Sequence, residues 1–144
     1  MAYIVNQDII DRVGNTRAVQ LTTDSGSVVS TTVLDEVRLS SEGEVNGYLA
    51  KRYAVPVDLT AHPDVAATLK GFTLDIAVYR LNTRRAPASD DIRTMRNNAI
   101  EWFKRVADGT INLPVETTPA TTTADGETAA WGSKDQNAAT MRDL

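Results

Sequence analysis

Apolar residues recur at the three-and-four spacing of an amphipathic helix in four stretches of the chain, and the segments between them carry turn chemistry. "NQDIIDRVG" predicts a short helix with Asn6 as its N-cap, Asp8 near its positive end and Gly14 as its stop. A second short turn is expected from Thr16 to Leu21, followed by the loop "TTDSGS". Ser30 or Thr31 then caps a long helix running to about Tyr53, whose stripe is Leu34, Val37, Ser41, Val45, Tyr48 and Arg52, widened at its end by Leu49 and Tyr53. Gly43 and Gly47 lie inside this helix, where each costs about 1 kcal/mol relative to Ala, so either a close neighbour or a kink is implied. Pro63 and Asp64 suit the first turn of a third helix reaching about Arg84, with Val65, Leu69, Phe72, Ile76 and Tyr79 as the seam of a central bundle helix. Ser89 caps a fourth, carrying Ile92, Met95, Ala99, Trp102 and Val106, and Gly109 ends it. The fold class predicted is all-α, a four-helix bundle-like body, with "VRLS" at 37–40 or "TINLPV" as the places where a short strand would fit.

The periodicity stops after "ADGTINLPV". From Thr110 to Leu144 Thr, Ala and acidic residues dominate, and Trp131 is the only aromatic. That stretch holds five acids and two bases, three of the four net negative charges of the whole chain. Residues 1–113 are therefore read as the folded body and 114–144 as a long extended or disordered acidic arm.

Composition narrows the chemistry. With 144 residues, 42% of them hydrophobic, the chain suffices for one ordinary domain and its core. No cysteine is present, and His62 is the single histidine, so thiolate and multi-histidine metal sites are excluded. The start "MAYIVNQDII" lacks a basic segment followed by an apolar block, and no apolar run reaches membrane-spanning length, so a soluble protein made in the cytoplasm is expected. His62 precedes Pro63 in a loop with no nucleophile elbow nearby, while the pairs Glu42 with Glu44 and Asp90 with Asp91 fit solvated charge and helix capping. Neither a phosphate loop nor a calcium loop appears, so no enzyme activity, cofactor or metal is implied. Arg80, Arg84, Arg85, Arg93 and Arg96 cluster around one helix connection. They read as an ion-pair surface, a protein interface or, given a net charge of -4, less readily as a phosphate-binding patch.

A Tyr3 start, "QLT" at 20–22, "EVNGYLAKRYAVPV" at 44–57, "DIAVYRL" at 75–81 with Arg84, and "ADG" at 107–109 followed by "INL" stand in an order and spacing that give the chain a family resemblance. It resembles the small Mu-like prophage proteins that act as head-tail joining proteins, the adaptors or neck connectors of tailed bacteriophages. Asn46 stands where such proteins often carry Asp, and the acidic arm is longer than their body requires. The resemblance implies a homo-oligomer, a twelvefold ring between the portal protein and the next neck or tail-completion protein. DNA would pass through its centre only in transit, the place would be the virion neck, and no membrane would be involved. Gly47, Lys51, Arg52, Tyr53, Arg80, Arg84, Arg85 and Trp131 are the residues expected at subunit or portal contacts, with Trp131 anchoring the arm on a partner. The other reading is a small helical nucleic-acid-binding or regulatory protein that uses the Arg80 to Arg96 cluster.

Overall fold

The computed structural model describes residues 2–117, and the expected Trp131 anchor and nearly all of the arm lie outside them. Among the described residues there are five helices and no strand: α1 (Asn6–Val13), α2 (Asn15–Thr22), α3 (Thr31–Leu49), α4 (Pro63–Asn82) and α5 (Asp90–Asp108). Val37 to Ser40 belong to α3, and among the described residues the only pairing of extended backbone is an isolated antiparallel bridge between Tyr53 and Thr117. The body is thus helical as the periodicity predicts, with the expected turn at Thr16 to Leu21 developed into a complete helix.

The starts and stops follow local chemistry. The Ser30 side chain accepts from Val33 N, and that of Ser89 from Ile92 N, each satisfying an amide that has no partner within its own helix. Gly109 ends α5 at φ +90°, a left-handed conformation that costs glycine nothing. Asn6 is not the expected cap of α1. It is the first helical residue, and its amide group instead holds Asp35 at 2.7 Å and Arg38 at 3.1 Å on α3. The cap position falls on Val5, whose N–H donates to Asp8 at 2.8 Å. The long helix ends at Leu49 rather than near Tyr53, because the amides of Arg52 and Tyr53 both return to the Leu49 carbonyl and tighten the chain into turns before the loop.

α4 is central, packing against every other helix. Val45, Leu49, Leu69, Ile76, Ala99 and Phe103 form one buried cluster, joined by Tyr53, Val57 and Leu113 from the loops. Ile9, Leu21, Leu34, Val37, Leu74, Ala77 and Leu81 form a second, beneath α1 and α2. The predicted seam of α4 therefore describes only one of its contacts. Leu74, Ala77, Val78 and Leu81 are buried as well, because a helix wrapped by four others has no solvent stripe over its C-terminal half. On α5 the buried stripe is Ala99, Ile100, Phe103 and Val106, so Ala99 and Val106 are buried as expected while Ile100 and Phe103, rather than Met95 and Trp102, complete the inward side. Met95 is left 41% exposed, and Trp102 is half-buried at the edge of the stripe.

Candidate functional site

The C-terminal end of α3 gathers four of the sequence-predicted contact residues and gives each a different environment. Gly47 is exposed, and a Cβ added there would meet no atom within 4 Å. Lys51 is exposed and forms no ion pair among the described residues. The Arg52 guanidinium donates to Asn112 at 2.8 Å, lies 5.5 Å from the Tyr53 ring centroid and covers Gly109. Tyr53 is buried, and its hydroxyl accepts from Leu113 N at 2.8 Å. Tyr53 and Arg52 therefore fasten the segment after α5 back onto α3.

A second group spans α3, α4 and α5. Glu44 is shared by two guanidiniums, Arg80 at 2.5 Å and Arg96 at 3.6 Å, and Arg96 also stacks over Tyr79 at 4.9 Å. Arg80 Nε is buried without an acceptor. The rest of the basic cluster is engaged within the chain. Arg85 pairs with Asp24 at 2.5 Å, holding that carboxyl below its ordinary range, and Arg93 pairs with Asp90 at 2.8 Å. Arg84 donates to the Leu21 carbonyl. Geometry thus brings Arg80 and Arg96 together on Glu44, whereas Arg84 and Arg85 hold the α2 end of the molecule.

Two residues that sequence reasoning left aside organise the other flank. Glu42, expected in solvent, is 8% exposed: its carboxylate accepts from Tyr3 N at 2.5 Å, Ile4 N at 3.1 Å and Arg38 at 3.4 Å. The Tyr3 hydroxyl donates to Asn46 at 2.6 Å and accepts from Val57 N at 2.9 Å. An amide oxygen at position 46 serves this bond, so Asn46 fills the place without a second buried charge. Burial is the main reason the Tyr3 phenol is raised above its ordinary pKa; the Val57 amide opposes that shift and the nearby Glu42 charge adds to it. The signal for Glu42 was its register: it lies one turn before Val45 and two turns before Leu49 and continues their buried face.

Shallow depressions lie on the surface of the described residues. One, about 360 Å³ and mostly apolar, is lined by Tyr3, Val57, Leu59, Pro63, Ala66 and Leu69 among others. Another of about 360 Å³ runs past Arg12, Ala67, Gly71, Phe72, Asp75 and Met95. Among the described residues no group of three or more His, Cys, Asp or Glu is placed to hold a metal ion, and no helix is long and apolar enough to cross a membrane.

Comparison with known proteins agrees with the sequence resemblance at the level of the phage type. The family model described as "Bacteriophage Mu, Gp36" matches residues 3–130, most of the chain. No curated protein matches.

Proposed function

The chain belongs to the bacteriophage Mu Gp36 family, which makes it a Mu-like phage protein of the structural or morphogenesis class, and on that premise we propose that it is a head-tail connector. In this reading it forms a ring, twelvefold by the resemblance, that sits below the portal in the virion neck, meets the next neck or tail-completion protein, and leaves a channel for DNA. Its role is geometric, with no catalytic step and no cofactor.

The observation that carries the proposal over a nucleic-acid-binding role is the engagement of the basic cluster. Arg80, Arg85, Arg93 and Arg96 all face carboxylates of their own chain, and Arg84 faces a backbone carbonyl. Duplex affinity comes chiefly from cations released onto phosphates, and arginines already paired at 2.5 to 3.6 Å must first give up those partners. A channel wall, by contrast, works best when DNA slides past it without sticking.

The test is the mass of the purified full-length protein, alone and mixed with its cognate portal, by native mass spectrometry. Many copies joining the portal support the connector role. A monomer that ignores the portal and binds duplex DNA, with affinity falling steeply as salt rises, replaces it with the nucleic-acid reading.

A further inference from the structure

The C-terminal ends of α3 and α5 lie side by side, with Arg52 covering Gly109, and the segment after α5 is fastened there as a strap. Ile111 N donates to the Arg105 carbonyl at 3.0 Å, the Arg52 guanidinium donates to Asn112, and Leu113 N donates to the Tyr53 hydroxyl. The strap ends in the bridge between Tyr53 and Thr117. In an antiparallel pair the residue after one member lies beside the residue before the other. The bridge therefore points the chain beyond Thr117 back toward Arg52 and Lys51.

This end of the molecule carries cations that nothing in the body uses. Asp108 is held below its ordinary pKa by hydrogen bonds from Thr110 and, after those, by the nearby charges of Lys51 and Arg105. Lys51 and Arg105 are exposed and form no ion pair among the described residues, and Arg52 is bonded to a neutral amide. Glu116, exposed beside the bridge, pairs with none of them. The negative ends of two helix dipoles explain the sign of these residues. They leave the Lys51 ammonium and the Arg105 guanidinium in solvent with no carboxylate on either.

Between Thr117 and Lys134 the charged residues are Asp125 and Glu127, both acidic, eight and ten residues beyond the bridge. Such a tether reaches about 26–36 Å at full extension and about 14–19 Å as a flexible coil. Lys51 is two residues from Tyr53, well inside that reach. A short tether also gives an effective concentration on the order of millimolar, above that of a second copy in dilute solution. We propose that the segment around Asp125 and Glu127 folds back onto the Lys51, Arg52 and Arg105 end of its own chain. The strap aims the segment, the tether is long enough and the charges are opposite. Contacts between exposed charges are individually weak, so the cover yields to salt or to an acidic partner surface that meets the same cations. The arm thereby guards Lys51 and Arg52, two of the residues expected at subunit or portal contacts, until such a partner displaces it. The inference goes beyond the connector reading and applies to a monomer as to a ring subunit.

Treatment of the full-length protein with a carbodiimide tests this, because the reagent joins a lysine to a carboxyl group only where the two touch. An amide forms between Nζ and the carboxyl carbon, and the carbodiimide leaves as a urea carrying the displaced oxygen. Lys70 with Asp8, 3.0 Å apart, is the internal control. Denaturing mass spectrometry separates internally linked single chains from covalent pairs of chains, and peptide mapping locates the links. In about 0.01 M salt, Lys51 is expected to be joined to Asp125 or Glu127 within single chains, in several-fold greater yield than Lys70 to the same two acids. Most of that link should vanish in about 1 M salt, where the screening length falls from about 30 Å to about 3 Å. Links spread evenly over Lys51 and Lys70, links from Lys51 confined to Asp108 or Glu116, or a yield indifferent to salt would each overturn the proposal. So would Lys51 joined to the two acids only in two-chain species, which makes a second copy the occupant. Native mass with the portal is a separate measurement, so failure here leaves the connector reading where it stood.

Discussion

Glu42 and Glu44 stand two residues apart on the same helix and hold together opposite sides of the molecule by different means. Glu42 is buried against the N-terminal segment and serves two backbone amides as well as Arg38. Glu44 faces α4 and α5, and its partners are two arginines whose side chains remain 37% and 32% exposed. A carboxylate that accepts main-chain hydrogen bonds out of water fixes the path of the chain, because an amide left without it cannot turn to solvent. A carboxylate between partly exposed guanidiniums orients charge at the surface, and its arginines can rehydrate when it is lost. Two positions of helical register separate a structural anchor from a surface ion pair.

The sharpest break in this comparison is Glu42→Ala. It strands the Tyr3 and Ile4 amides and is expected to cost about 3 kcal/mol in urea unfolding, against about 1 kcal/mol or less for Glu44→Ala. Equal losses would show that the two carboxylates do the same work. Next comes Tyr53→Phe, which removes the acceptor from Leu113 N and should cost about 1–2 kcal/mol, with faster hydrogen exchange at that amide. If the Leu113 amide exchanges as slowly as before, the bond does not hold the post-α5 segment.

Tyr3→Phe follows at about 1 kcal/mol near neutral pH, and it also changes the alkaline limb. Because the folded-state pKa of Tyr3 is raised, the native protein keeps that proton after the unfolded chain has lost it. Its contribution is full below the unfolded value, about 10, and disappears as pH rises through the folded one. Stability of wild type should therefore fall more steeply than that of the variant on titration above that value. The smallest effect is expected at Asp75, whose pKa burial raises even though Arg12 lies 2.7 Å away. The same sign applies: the protonated form is favoured by folding, so Asp75 stabilises most in acid and this contribution fades through its folded pKa. Asp75→Asn should then lie within about 0.5 kcal/mol of wild type at neutral pH, since desolvation offsets the ion pair. A loss several times larger would make the pair a true anchor like Glu42.

Much of the body was legible because its signals are local. Ser30, Ser89, Pro63 and Gly109 mark helix ends through groups a few residues away, and Leu34, Val37, Val45 and Leu49 repeat with the helix they bury. Positions whose environment is set from far along the chain were not legible. Asn6 looks like a cap until Asp35 and Arg38 of α3 are placed beside it, and Glu42 looks solvated until the N-terminus is laid across it. The stripe of α5 was read one position away from Phe103, because Met95 and Trp102 are also apolar and only packing decides which side turns inward. Of the expected contact residues, Gly47 and Lys51 are outward-facing, whereas Tyr53 is occupied within its own chain. An aromatic at a helix end serves a core and an interface equally well in sequence.

The clasp on Glu42 also sets an order of events during synthesis. Tyr3 is translated before its carboxylate partner, which is encoded 39 residues later, and at about 5–20 residues per second that means a delay of about 2–8 s. Throughout that interval the Tyr3 and Ile4 amides lack the carboxylate they bind in the folded protein. In pulse-labelling of refolding protein, local helix pairs such as α4 with α5 should gain protection first and the amides of Tyr3 and Ile4 late, so that a segment translated ahead of its anchor is among the last to be secured.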